Sequence, residues 1–289
     1  MATETWDAGP VKVPVMATIR EACGQVFGRF GFFINLALLP ALAVLVLRLA
    51  LASLYFPPAA APDHPASGGP WWLNLLAGIL SVLVYNVFLV RWHQQALYGA
   101  PRDYDSVVFL QGYRRFVLYS LITYGVVLAL AIGLGASSLV VAGFSLFGLS
   151  KAAVGGLAIG ALIGLVGFSV WMLRCALIFP SAAYGRPLGF GEAWQQIRGN
   201  AWRLFGASLL VALIMFVVTF VPSFFIGIAD GVAKVMAKHS SPSSTFMMVL
   251  LVARLVVDVA ATFIGMALGA STLSIFYQRI VLRRAAQSL

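Results

Sequence analysis

Arg254 and Asp258 stand four residues apart inside an apolar run from Phe246 to Tyr277. Helical spacing puts them on one face, where they can form an intramembrane ion pair. A lone charge at membrane depth costs at least a few kcal/mol, and a partner lowers that cost. Two chemistries fit: a proton or ion site that draws in Asp230 or Arg48, and a structural pair close to the outer interface. Both residues fall in the first third of the run, which favours the structural pair. A second group consists of cations with tryptophans at the ends of apolar runs. Arg91 and Trp92 begin Arg91-Trp92-His93-Gln94-Gln95, Arg114 and Arg115 are adjacent, and Arg198, Trp202 and Arg203 cluster near another run. Arginine forks suit phosphate and indoles suit the headgroup layer, so these seven are candidate contacts for an anionic lipid headgroup. Plain anchoring at the interface is the simpler account of them.

Other chemistry finds no support. There is no HExxH, GxSxG, GxxxxGK[ST] or GxGxxG motif, and Ser81, Asn86, Thr123 and Ser169 lack an acid or base partner at a recognisable spacing. Cys23 and Cys175 form no CxxC or metal-ligand pattern. His64, His93 and His239 fall in three separate connecting regions, so a shared metal site is not expected. No catalytic residue, metal site or cofactor is expected.

The elements that carry these residues are membrane spans. The chain has 289 residues, 61% hydrophobic and 10% charged. Soluble domains carry about 25% charged residues. Six apolar runs are long enough to cross a core of about 30 Å as helices. They are Gly31–Phe56, Trp71–Arg91, Phe116–Gly143, Ala152–Phe179, Leu204–Ile228 and Phe246–Tyr277. None alternates apolar with polar residues, so the spans are helices and not barrel strands. About thirty mostly polar residues precede the first run, too many for the start of a cleavable signal, so the first span is expected to be retained. Pro40 and Pro222 each interrupt a span and are possible kink points.

The 19 Lys and Arg outnumber the 9 Asp and Glu, giving a net charge of +10. They sit at span ends and do not form a soluble basic module, so nucleic acid is not an expected partner. With both termini on one side, that side and its flanks hold fourteen of the basic residues and the other side five. The bias predicts cytoplasmic termini in an inner, plasma-membrane setting, with the Lys- and Arg-free loop Pro57–Pro70 outside.

An internal echo runs along the chain. Val15, Ile19, Ala22, Val26 and Phe30 share the offsets of Phe190, Trp194, Ile197, Ala201 and Phe205. Each set is one helical face, and each leads into a span through Phe-Gly, at Phe30-Gly31 and Phe205-Gly206. Arg29, Arg115 and Arg203 recur at intervals of 86 and 88 residues, and Tyr98-Gly99-Ala100-Pro101 recurs after 86 residues as Tyr184-Gly185-Arg186-Pro187. The expected fold is all-α: a single membrane domain over 1–289, with about six spans as three hairpins, each preceded by an interfacial amphipathic helix. The repeats are expected over 12–98, 99–184 and 185–284. Glycines four apart, such as Gly156, Gly160, Gly164 and Gly265, Gly269, suggest close helix packing or a homo-oligomer face.

Leu177-Ile178-Phe179-Pro180-Ser181-Ala182-Ala183-Tyr184 closes the fourth run, followed by Glu192-Ala193-Trp194 and by Arg198-Gly199-Asn200-Ala201-Trp202-Arg203-Leu204-Phe205-Gly206. This stretch resembles a diffuse group of bacterial six-helix membrane proteins. The group includes the membrane domain attached to some glycerophosphoryl diester phosphodiesterases. The resemblance implies a bacterial six-helix membrane fold and no catalytic residue, because the soluble catalytic domain of those fusions has no counterpart here.

The expected function is that of a non-enzymatic inner-membrane protein that organises lipid, anionic by preference, or partner membrane proteins. One alternative is a transporter or permease for a small or lipidic substrate, supported by the repeat and the sixth-span charges. Two-span units, however, give parallel repeats, whereas inverted repeats need an odd number of spans per unit. An intramembrane enzyme is the least supported alternative.

Overall fold

A computed structural model of the chain describes residues 12–55, 71–99, 110, 112–126, 151–236 and 244–283. Among them the regular structure is helical and no strand occurs. In chain order the helices are α1 (Val15–Phe27), α2 (Phe30–Tyr55), α3 (Trp71–Tyr98), α4 (112–126), α5 (Lys151–Cys175), α6 (Ile178–Ala183), α7 (Phe190–Gln196), α8 (Ala201–Met236) and α9 (Ser244–Tyr277). A π-helical turn, Gln278–Leu282, extends α9.

Among the described residues five stretches are long and apolar enough to cross a bilayer: Phe30–Leu51, Trp72–Tyr98, Ile163–Ala183, Ala201–Ala233 and Thr245–Leu282. Most of the expected third span, Phe116–Gly143, lies outside the described residues. The 26 residues of α2 rise about 39 Å, which clears a core of about 30 Å. The 36 residues of α8 and the 34 of α9 rise about 54 and 51 Å, so these helices cross at a tilt or extend beyond the core. Leu209, Leu213, Phe216, Phe220, Phe224 and Phe225 of α8 are all exposed by the protein. Such a surface in water would drive association, whereas in a bilayer it is the solvated face. The chain is an all-α, multi-pass membrane protein.

The helices form two compact units. The first draws on Met1–Val15, Ala100–Gly206 and Leu273–Leu289, and the second on Met16–Gly99 and Ala207–Thr272. In the second unit α2 packs on α3. Phe33 meets Phe88 and Trp92 with ring centroids 6.2 and 5.8 Å apart, and Phe88 meets Phe263 of α9 at 5.0 Å. The indole N–H of Trp92 donates to Ser271 Oγ at 2.9 Å, an interhelical bond of the kind that contributes about 0.6–2 kcal/mol in membranes. Gly265 of α9 faces Met215 of α8, whose Cε would lie 3.4 Å from an added Cβ. At Gly156, Gly160 and Gly164 an added Cβ meets nothing within 4 Å among the described residues.

In the first unit Phe116 of α4 meets Phe179 of α6 at 5.1 Å, and Tyr119 meets Phe190 of α7 at 5.6 Å. Ser181 Oγ donates to Ile178 O at 2.8 Å and accepts from Leu188 N at 3.1 Å, tying the loop after α6 back onto it. The Glu192 carboxylate accepts the Gly189 N–H at 3.0 Å, which caps α7. Gly99 and Gly185, the glycines of the Tyr-Gly echo, have matching left-handed φ values of 75° and 79°.

Three local expectations change. The stretch Arg91–Gln95 is not a connection but part of the last turns of α3, and His93 is buried there. Its neighbour Trp92 is also buried, so the helix continues because these side chains have somewhere to pack. Asp230 is not past the fifth span but within α8, where it is half-buried. The amphipathic stretch 190–205 is not one helix: α7 ends at Gln196, and Ile197–Asn200 forms a turn in which Gly199 has φ 84°. His64 and His239 lie outside the described residues.

Candidate functional site

An apolar cavity lies in the first unit. α5 and α7 pack together. Phe168 stacks on Trp171 at 5.8 Å, and Trp171 meets Trp194 edge to face at 6.4 Å. Between these helices, α4 and α6 lies a cavity of about 550 Å³. Ile122, Val126, Met172, Phe179, Phe190 and Trp194 are among its walls, which are almost entirely apolar. The guanidinium of Arg174 sits 4.5 Å above the Trp194 ring. A cation–π contact of this kind holds a charge at the edge of an apolar wall. The arrangement is room for an alkyl chain with one fixed cation beside it.

Two clefts with polar side chains in their walls belong to the second unit. One, of about 380 Å³, has Glu21 and Gln25 of α1, Arg29, Phe32, Trp92 and Gln95 in its walls. The Gln95 amide N–H donates to Gly99 O at 3.5 Å. The oxygens Gln25 Oε1 and Gln95 Oε1 are buried without a hydrogen-bond partner. The other cleft, of about 260 Å³, collects Ser223, Asp230, Arg254 and Asp258 between α8 and α9. Arg254 and Asp258 therefore line one cleft, together with Asp230. Arg48 is elsewhere, with Nη2 donating to Tyr85 OH at 3.5 Å. The Thr262 hydroxyl donates to the Asp258 carbonyl at 2.7 Å, a local bond that satisfies a polar group in an apolar helix.

Of the seven residues proposed from sequence for headgroup contact, Arg91 and Trp92 belong to the second unit and the other five to the first. Trp92 is a core side chain whose donor is taken by Ser271, although its ring also walls the 380 Å³ cleft. Arg91 is exposed at the end of α3, and Arg114 and Arg115 are exposed on α4. Arg198 is exposed in the turn before α8, and Trp202 is exposed and meets Phe205 edge to face at 5.8 Å. Arg203 is half-buried, and its Nη1 donates to Val13 O at 3.1 Å. Sequence reasoning missed the stacking of Arg174 on Trp194. The two are twenty residues apart in sequence and meet only through the α5–α7 packing.

Among the described residues no group of three or more His, Cys, Asp or Glu could hold a metal ion. The chain matches no family model, no curated protein and no solved structure.

Proposed function

We propose that this protein is a non-enzymatic lipid-organising protein of the bacterial inner membrane that holds an anionic lipid in its first unit. The observation that carries the reading is the apolar cavity of about 550 Å³ beside the Arg174–Trp194 stack. In a bilayer such a space has no water to fill it and takes an acyl chain. A fixed guanidinium at its edge then favours an anionic headgroup over a neutral one. The excess of Lys and Arg favours the same charge. The likeness to the membrane domain of glycerophosphoryl diester phosphodiesterases agrees with a membrane role without catalysis. Three hairpins, each with an interfacial helix, and cytoplasmic termini complete the proposed architecture.

The test is lipid retention. Purified protein in mild detergent is expected to carry anionic lipid detectable by native mass spectrometry. Trp194→Ala and Arg174→Gln should each release most of it while leaving the helical content unchanged. Retention of the same lipid by both variants overturns the reading. Topology is checked separately: Ser67→Cys should label from outside intact cells, and labelling only after lysis refutes the orientation.

A transporter is the second reading, favoured by the cleft that gathers Asp230, Arg254 and Asp258. If that cleft carries protons, proteoliposomes should show a proton flux that Asp258→Asn abolishes. If the charges are structural, the same variant instead lowers thermal stability, and adding Arg254→Gln restores part of the loss.

A further inference from the structure

One strip of α1 and one strip of α3 line the cleft of about 380 Å³ in the second unit. Glu21, Gly24 and Gln25 share a side of α1 by helical spacing, next to the buried face of Thr18, Ile19, Ala22 and Val26. Trp92, Gln95 and Ala96 share a side of α3 in the same way. Gly24 has no side chain, and an added Cβ would meet nothing within 4 Å, so the space beside it stays open. Arg29, in the turn before α2, and Phe32, in its first turn, complete these walls. Phe32 and Trp92 have ring centroids 6.2 Å apart, so the start of α2 lies beside the last turns of α3. The 28 residues of α3 rise about 42 Å, more than a core of about 30 Å. The cleft therefore sits where one span begins and another ends, at the level of lipid headgroups.

Two acceptors in these walls want donors. Gln25 Oε1 and Gln95 Oε1 are buried with no hydrogen-bond partner. The Gln95 amide N–H reaches only Gly99 O, at a long 3.5 Å. An unpaired acceptor is costly, and a donor that reaches it removes the cost. The last torsion of a glutamine is broad and soft, so rotation about it turns either oxygen into the cleft. Two oxygens from two helices suit a ligand with several donors on one atom. A primary ammonium has three N–H donors, and its bonds to amide oxygens are charge-assisted. The charge of Glu21, one turn before Gln25 in the same wall, favours a cation there, as do the rings of Phe32 and Trp92. Arg29 supplies the opposite charge, for an anion carried next to that cation.

We infer that this cleft binds a primary ammonium carried next to a phosphate, the chemistry of an ethanolamine phospholipid headgroup. The ammonium donates to Gln25 Oε1 and Gln95 Oε1, and the phosphate meets the Arg29 guanidinium. Choline is the informative contrast. Its quaternary ammonium is drawn to aromatic rings as well, but it has no N–H to give the two oxygens. If the amides decide, ethanolamine is preferred over choline. The site uses none of the residues of the acyl cavity, lies in the other unit, and stands or falls apart from it. The same headgroup exists as a lipid and as a soluble ester, and the test separates the two.

Full-length protein, delipidated in detergent, is titrated with phosphatidylethanolamine, its N-methyl and N,N-dimethyl forms, and phosphatidylcholine, all with the same acyl chains. Bound lipid is counted by native mass spectrometry. Soluble phosphoethanolamine and phosphocholine are titrated in parallel by calorimetry. Affinity should fall with each N–H replaced, by roughly tenfold or more from ethanolamine to choline. This series is read on the wild type and needs no variant. Gln25→Met with Gln95→Met keeps the side-chain length and the helix propensity, so the fold is retained, and thermal unfolding confirms it. In this double variant the preference should vanish. A preference in the lipid pair alone identifies a headgroup, and one in the soluble pair identifies a free ester; either supports the site. The inference is overturned if neither pair differs by about threefold in the wild type, or if the double variant keeps the wild-type preference. Trp194→Ala should leave the preference unchanged, so loss of the acyl cavity and loss of this site are read independently.

Discussion

The segments 15–31 and 190–206 carry the same apolar offsets and end in the same Phe-Gly pair, yet they fold differently. In the first, α1 runs thirteen residues and buries Thr18, Ile19, Ala22 and Val26 on one face. In the second, α7 runs seven residues and stops, and the chain turns through Ile197–Asn200 before α8 begins. The shared pattern puts Gly24-Gln25 in register with Gly199-Asn200. Glutamine is a good helix former, while glycine followed by asparagine is a poor pair to keep inside a helix. Asn200 also has a better use: its side-chain oxygen takes the buried N–H of Val13. Hydrophobic spacing therefore decides which face is buried, and the side chain that finds a backbone partner decides where the helix breaks.

The largest test of this contrast exchanges the two amides for apolar residues. Asn200→Ala leaves the Val13 N–H buried and unpaired, which costs about 1–3 kcal/mol. At the matching position Gln25 Oε1 has no partner, so Gln25→Met should be neutral or slightly stabilising. Thermal unfolding in detergent should show a clear drop in Tm for the first and none for the second. Equal drops would mean that Gln25 contributes as much to its junction as Asn200 does.

The glycines sharpen the same comparison by a smaller margin. Gly199 sits at φ 84°, where a Cβ costs about 1–2 kcal/mol, so Gly199→Ala should lower Tm. Gly24 lies inside α1, and an added Cβ there meets nothing within 4 Å. Gly24→Ala should raise stability by up to about 1 kcal/mol through helix propensity alone. If both substitutions move Tm in the same direction, the two junctions do not differ as described.

Spans were legible because length and hydropathy carry that information locally. The apolar run Gly31–Phe56 and the helix Phe30–Tyr55 agree to within a residue. Helix ends were less legible. Arg91–Tyr98 stays helical because Trp92 and His93 are buried, and Asp230 stays helical beside Arg254 and Asp258. Polar residues mark an end only when nothing packs on them. The sites were least legible. Arg203 reads as a headgroup ligand, but its partner is the backbone of Val13, 190 positions away. No local pattern reveals such a pairing.

The smallest effect concerns a thiol. Cys23 and Arg198 occupy matching places in the two segments, and Cys23 is half-buried where Arg198 is exposed. Burial raises the pKa of the Cys23 thiol above its ordinary value by disfavouring the charged form. The thiolate is the species that reacts with a maleimide, so the sign is fixed: at neutral pH Cys23 should label more slowly than an exposed cysteine. The comparison is made in a Cys175→Ala background, with Cys23 alone in one protein and Arg198→Cys with Cys23→Ala in the other. Below its pKa each rate rises about tenfold per pH unit, in step with the thiolate fraction. The rate at position 198 should level off first as pH increases, while that of Cys23 continues to climb. Identical rates with the same pH midpoint would place Cys23 in water, and α1 would then not bury the face that its apolar offsets define.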